Sequence, residues 1–312
     1  MGEKIHQRRK QRRKATIRDA GSIADERPET EEGRSGGKTG TLFVVATPIG
    51  NLEDITIRAI RVLKEVCLIA AEDTRRTRIL LNAYQIVTPL ISLYDHSEAK
   101  KSELLLAKLQ EGKHVAYVSD AGTPGISDPG YVLVREAVLR GIRVAPVPGA
   151  SALIAALSVS GLPMDSFVFY GFLPAKPAKR RQLLASLKEE GRTLIFYESP
   201  RRLLSSLNDI EELMGDREMV VSREMTKIYE EFLRGPVSQV IAGLEGVTVR
   251  GEVTLIVAGR AGDTERYSDE ELLRRLGQLR REDGLSLRDM ADRLAQDTGV
   301  SRRRIYRLLL FP

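Results

Sequence analysis

The segment Ser119-Asp-Ala-Gly-Thr-Pro-Gly-Ile-Ser-Asp-Pro-Gly130 gathers acids, hydroxyls and glycines into one short stretch. Asp120 can orient a ligand or accept a proton. Ser119, Thr123 and Ser127 can donate hydrogen bonds. Gly122, Gly125 and Gly130 let the backbone turn and approach a ligand closely. Val115 to Val118 is an apolar run before this loop, and an apolar helical pattern follows from Val132 to Leu139. The loop therefore leaves the carboxyl end of a strand, where open α/β sheets bind ligands.

Other strand exits carry groups of the same kind. Thr47-Pro-Ile-Gly-Asn-Leu52 has Pro48 to fix the exit and Gly50 to allow a turn. In Glu72-Asp-Thr-Arg-Arg-Thr77, acids in a first helical turn offset the dipole. The paired arginines have no such explanation, and Arg75 or Arg76 can grip a phosphate. Pro148-Gly-Ala-Ser-Ala152 offers small residues at the end of a later strand. Tyr197-Glu-Ser-Pro200 and Ser222-Arg-Glu-Met-Thr-Lys227 end two more. Glu224 and Lys227 are spaced as a salt pair or as catalytic groups.

Strands alternating with helices must position these exits. Strands are expected at Leu42 to Ala46, Cys67 to Ala71, Leu90 to Leu93, Val115 to Val118 and Arg143 to Val147. A helix from Ile55 to Val66, capped by Asp54, and another from Ser97 to Gln110 lie between them. Continuous apolar strands imply a parallel sheet covered on both faces. A second unit follows, with strands at Phe167 to Tyr170, Thr193 to Tyr197, Met219 to Ser222 and Val253 to Ala258. A further strand near Ile228 to Arg234 makes this sheet mixed. From Tyr267 the chain reads as helical. Ser286 opens a capping box, Thr298-Gly-Val300 is a turn, and Arg302, Arg303 and Arg304 begin the next helix, a helix-turn-helix pattern.

Composition narrows the function. The net charge is +6, and residues 1–40 carry 11 Lys/Arg against 7 Asp/Glu, which reads as a charged, disordered tail. Cys67, the single cysteine, is expected in the core. With His6, His96 and His114 far apart, no metal site is expected. No apolar run is long enough to cross a bilayer. Gly36-Gly-Lys-Thr39 fails as a phosphate loop because Glu32 stands where the motif needs glycine.

Together the four quoted motifs at Thr47, Glu72, Ser119 and Ser222 resemble the tetrapyrrole methylase superfamily. Within it they resemble the branch that methylates the ribose 2′-oxygen of a cytidine in the decoding region of bacterial 16S rRNA. The resemblance spans about Thr41 to Arg260, and the tail resembles that branch's C-terminal helix-turn-helix. It implies an N-terminal α/β domain at 41–148, a C-terminal α/β domain at 149–262 and a helical domain at 263–312. The porphyrin branch begins with a Gly-x-Gly-Pro-Gly-Asp loop. Thr47-Pro-Ile-Gly-Asn-Leu52 departs from it, which argues against a porphyrin substrate.

The implied cofactor is S-adenosylmethionine, held between the α/β domains by Pro48, Asp120, Ala121, Gly122, Ile126, Ser127, Ser151, Ala152, Tyr197, Met225 and Thr254. Asp120, Glu224 and Lys227 are the candidate catalytic groups, with Glu198 a further possible base. Lys227 either lowers the hydroxyl's pKa or, if desolvated, acts as base. Arg75, Arg76, Lys176, Lys179, Arg180, Arg181, Arg201 and Arg202 would hold RNA phosphates. The implied partner is 16S rRNA or the small ribosomal subunit, and the implied state a cytoplasmic homodimer. Two other readings remain at this point: a DNA-binding regulator with a ligand-sensing α/β body, and methylation of a tetrapyrrole.

Overall fold

The structure is a computed structural model that describes residues 39–93, 98–126, 130–260, 267–281, 285–298, 300 and 302–310. The expected charged tail and Ser127 lie outside the described residues, as do Gly299 and Ser301.

Five short apolar strands build the first sheet: β1 (Thr41–Val45), β2 (Leu68–Ala71), β3 (Leu90–Ser92), β4 (Val115–Val118) and β5 (Arg143–Val147). All pair in parallel, in the order β3-β2-β4-β1-β5. Every residue of β4 is buried, as its Val-Ala-Tyr-Val sequence requires in a sheet covered on both faces. Helices α1 (Ile57–Glu65) and α2 (Thr74–Ala83) cover one face through Leu63, Leu80 and Leu81. Helices α3 (Glu98–Gln110) and α4 (Tyr131–Leu139) cover the other through Leu105, Leu109 and Leu133.

Two local expectations are corrected. Asp54 does not cap α1. Asn51 caps a single 3-10 turn at Leu52–Asp54, and the Thr56 hydroxyl accepts from the Ala59 N–H at 3.1 Å to start α1. Cys67 is exposed rather than in the core. It precedes β2 by one residue, its N–H bonds to the His114 carbonyl, and its side chain faces outward.

The second sheet contains β6 (Phe167–Phe172), β7 (Thr193–Glu198), β8 (Glu218–Arg223), β9 (Glu231–Pro236) and β10 (Val253–Val257), in the order β6-β7-β10-β8-β9. Only β6 and β7 run parallel, so the sheet is mixed. Helices α6 (Pro177–Ser186), α7 (Leu203–Met214) and α8 (Val237–Leu244) bury one face with Leu184, Leu207 and Val240. The opposite face presents Ile195, Val220 and Ile256. It packs on Leu153 and Ala156 of α5 (Ala152–Ser158) and on Ile49 from the loop after β1. This fourth cluster brings the exits of both sheets together.

Among the described residues the last helices are α9 (Asp269–Leu279), α10 (Leu287–Thr298) and α11 (Arg302–Leu310). They share a small core of Leu272, Leu276, Met290, Leu294 and Ile305. Ser286 and Asp289 cap α10 reciprocally, as expected. Arg302 pairs with Asp292 and Arg304 with Asp269, so both arginines are engaged within this bundle.

Candidate active site

β1 and β4 are neighbours whose exits lead opposite ways, β1 towards β2 and β4 towards β5. That crossover is the crevice where a doubly wound sheet takes its ligand. Here the two exit loops are bonded to each other. The Thr47 N–H donates to the Gly122 carbonyl at 2.9 Å, and the Gly122 N–H returns a bond to Thr47 at 3.0 Å. Gly122 holds φ of +78°, a left-handed conformation that glycine adopts without strain. Thr123 donates to the Ala150 carbonyl at 3.2 Å and ties the loop to the exit of β5. Asp120 follows from this frame. Its Oδ1 accepts the Asp73 N–H at 2.9 Å, and its Oδ2 lies 3.4 Å from Arg76.

A cavity of about 420 Å³ opens above this floor. Asp120, Ala121, Gly122 and Ile126 line it from the central loop, and Ser151 and Ala152 from the start of α5. Tyr197 and Thr254 face it from the second sheet, where they are cross-strand partners. The fold thus brings these eight expected residues to one chamber. Pro48 instead lines an adjoining cavity of about 200 Å³. Met225 is buried in the apolar cluster with Ile49 and lines neither.

The turn after β8 clasps the loop after β1. The Asn51 N–H donates to the Thr226 hydroxyl at 3.0 Å. Gly50 fits so tightly here that a Cβ would come within 2.5 Å of Lys227 Cγ and 2.8 Å of the Met225 carbonyl. Glu224 (φ 50°) and Thr226 (φ 66°) are both left-handed without being glycine, a strained turn that its contacts must hold. Lys227 donates to Glu224 at 2.8 Å and reaches Glu252 at 3.5 Å. Burial works against its ammonium charge, but the hydrogen bond to Glu224 and the field of Glu252 outweigh it. The pKa rises above the ordinary lysine value. The two carboxylates beside it thus favour the ammonium form of Lys227.

The Lys227 hydrogen bond, in turn, holds the Glu224 carboxyl below its ordinary value. A depressed carboxyl stabilises the fold above the unfolded pKa of ~4.3, and that contribution is lost as pH falls through the folded value. The raised lysine contributes below ~10.4 and loses it as pH climbs. The clasp is thus complete between about pH 5 and pH 10. Denaturant titrations at pH 6 and pH 3 should show a smaller acid-induced loss of stability for Lys227→Met than for the wild type. An equal loss in both would mean that this pair does not couple to folding.

Glu198 reaches the larger cavity's wall, but its carboxylate is fully buried and both oxygens are engaged. They take Arg202 at 2.6 Å, the Ser199 N–H at 2.6 Å and the Ser206 hydroxyl at 2.5 Å. It braces this corner of the wall. The expected phosphate-binding arginines also divide. Arg180 is buried and pairs with Asp209 at 2.7 Å, so phosphate contact is closed to it. Arg181 bonds both Asp209 and Glu212, and Arg202 braces Glu198. Arg75 lies outside both cavities and folds back on Asp73, whose pKa its hydrogen bonds lower to about 2. Lys176, Lys179 and Arg201 remain exposed, and Arg76 lines both cavities.

Sequence reasoning missed Phe172 and Glu252 on the larger cavity's wall. Phe172 follows a register shift in β6, and Glu252 precedes β10 in a Gly-Glu turn that carries no distinctive signal.

The family model for tetrapyrrole (corrin/porphyrin) methylases matches residues 41–241. The chain belongs to the tetrapyrrole methylase family. Among this methylase's relatives, ribosomal RNA small subunit methyltransferase I of Thermotoga maritima is 55% identical over 221 residues, covering 71% of this chain and 99% of that protein. Proteins of the same name from Synechocystis sp. and Pseudomonas aeruginosa are each 49% identical and cover 87% of this chain, and 98% and 97% of their own lengths. Solved structures show the same methylase fold at lower identity. Uroporphyrin-III C-methyltransferase from Thermus thermophilus, complexed with S-adenyl homocysteine, aligns with a TM-score of 0.51 at 21% identity over 70% of this chain and 97% of that one. The methyltransferase CobJ aligns at 0.55 and 18%, over 72% and 95%.

Proposed function

We propose that this methylase transfers a methyl group from S-adenosylmethionine to the ribose 2′-oxygen of a cytidine in the decoding region of bacterial 16S rRNA. The observation that carries the reading is the charge of the larger cavity. Glu72, Asp120 and Glu252 line it against Arg76, with Lys227 reaching Glu252 at 3.5 Å and Glu198 neutralised by Arg202, which leaves an acidic excess. Such a wall favours a cation. Ile49, Ile126, Phe172 and Ala152 give apolar surface for an adenine ring, and Thr254 and Ser151 give hydroxyls for its sugar. The residues present therefore fit a sulfonium nucleoside. When bound, it supplies an electrophilic methyl carbon and departs as a neutral thioether, so the acceptor oxygen gains the O–CH3 bond and releases its proton.

The protein's own groups then have separate tasks. Asp120 lines both cavities and is the base that takes the proton. Lys227, kept cationic, favours the developing alkoxide. Loops fixed by the Thr47–Gly122 bonds hold the reacting atoms in line, which is the larger part of the catalysis. Arg76, Lys176, Lys179 and Arg201 bind phosphates. The enzyme acts in the cytoplasm as a homodimer. Tyr131, Val138 and Leu139 of α4, exposed and apolar, offer a second copy a surface to cover. Among the described residues no helix is long and apolar enough to cross a membrane.

The RNA relatives favour this reading over a tetrapyrrole acceptor, and the family match over the α/β body favours it over a DNA-binding regulator. Labelled S-adenosylmethionine should transfer its methyl group to small-subunit rRNA from cells that lack the protein. Digestion to nucleosides followed by mass spectrometry should find it on the ribose of one cytidine. A methyl group on the base, or turnover with free porphyrinoid alone, would refute the assignment.

A further inference from the structure

The smaller cavity is half the size of its neighbour and shares Ile49, Arg76, Asp120, Ala121 and Glu252 with it. Its lining also carries charged side chains, Asp120 and Lys227 among them. Its other lining includes two large apolar side chains that folding does not use: Leu52 is 40% exposed and Ile79 65% exposed. α2 packs on the sheet through Thr77, Leu80 and Leu81, which turns Ile79 away from it. Leu52 sits on a 3-10 turn with no buried residue. Both carriers are nevertheless fixed to each other. The Tyr84 hydroxyl, at the end of α2, donates to the Leu52 carbonyl at 2.7 Å.

We propose that this smaller cavity holds the acceptor nucleotide, extruded from the RNA strand, with Leu52 and Ile79 gripping its base. The proposal rests on the methyltransferase reading above. A flat heteroaromatic ring suits a slot with apolar side chains on two braced elements. The ribose then lies beside Asp120 and Lys227, towards the residues that the smaller cavity shares with the larger one. Arg76, which lines both spaces, takes the flanking phosphate. Asp120 lines both cavities and its side chain is only 23% exposed, so a hydroxyl must enter that space to reach it. Turning the nucleotide out of the stack brings that hydroxyl in, the solution used by enzymes that act on single nucleotides. The apolar grip offsets part of the unstacking cost.

The test compares Leu52→Ser, Ile79→Ser and the double variant with the wild type. Calorimetry measures S-adenosylhomocysteine binding, and steady-state kinetics measure methyl transfer to unmethylated small ribosomal subunits. The double variant is expected to bind S-adenosylhomocysteine within about twofold of the wild type while its KM for the subunits rises about tenfold or more. Ile79→Trp, which fills the slot, should retain S-adenosylhomocysteine binding and lose turnover. Unchanged KM and kcat in the double variant would overturn the proposal. So would a parallel loss of S-adenosylhomocysteine affinity, which would make the slot part of the cofactor's seat. A wild-type protein that binds S-adenosylhomocysteine but methylates no RNA would instead overturn the methyltransferase reading on which the slot depends.

Discussion

Asp120→Asn is expected to lower the single-turnover rate of methyl transfer by about 10²–10⁴-fold, the range for loss of a positioned proton acceptor. Asparagine has the same shape, and its oxygen still accepts the Asp73 N–H that Asp120 now takes at 2.9 Å. The loop therefore keeps its frame, including the two bonds between Thr47 and Gly122. What disappears is the charge that faces Arg76 and both cavities. Glu198 cannot replace it because its carboxylate is enclosed by Arg202, Ser206 and the Ser199 N–H. Lys227 cannot replace it because it is held protonated. Rapid-quench measurement with labelled methyl donor, alongside a thermal melt, separates chemistry from folding. A rate within about fivefold of the wild type would mean that the proton leaves directly to solvent.

The second large effect concerns stability. Arg180→Ala should cost about 3 kcal/mol, at the lower end of the range for breaking a buried ion pair. Arg180 is 4% exposed and joins α6 to α7 through Asp209. Its loss leaves Asp209 desolvated, although Arg181 still reaches that carboxylate at 2.7 Å, which limits the damage. Urea denaturation gives the cost directly. The affinity for RNA at moderate salt should not change, because the guanidinium never reaches a phosphate. Lys179→Ala or Arg201→Ala should do the opposite. Both side chains are exposed, and removing one cation from the RNA backbone should flatten the slope of log affinity against log salt by about 0.7–0.9. An Arg180→Ala protein of normal stability and reduced RNA affinity would reverse this assignment.

These arginines also show where sequence stops being informative. Lys176, Lys179, Arg180 and Arg181 form one basic cluster on paper. Helical geometry then turns Arg180 inward, and its partner lies 29 residues away on another helix. The central strands were legible because their burial is continuous. β4 and β10 are apolar, or nearly so, along their whole length, and nothing but a covered sheet accommodates them. The chamber's central loop was legible for a related reason: glycines, hydroxyls and an acid at a strand exit have few other uses. The Thr226–Asn51 bond, spanning 175 residues, had no local sign. Neither did the slot beside Leu52 and Ile79, since an exposed apolar residue in a sequence looks the same as a buried one. Asp54 failed as a cap because Asn51 and Thr56 each offered a better-placed oxygen to a nearby N–H.

Arg76, Asp120 and Glu252 form a party wall, with one face towards each chamber. A charge placed on either side changes the field on the other, so neither tenant's affinity belongs to its own room. Whatever factor the donor imposes on the acceptor's dissociation constant, thermodynamic reciprocity obliges the acceptor to impose on the donor's. A dissociation constant measured with one ligand alone therefore describes a half-furnished enzyme and not the complex that turns over.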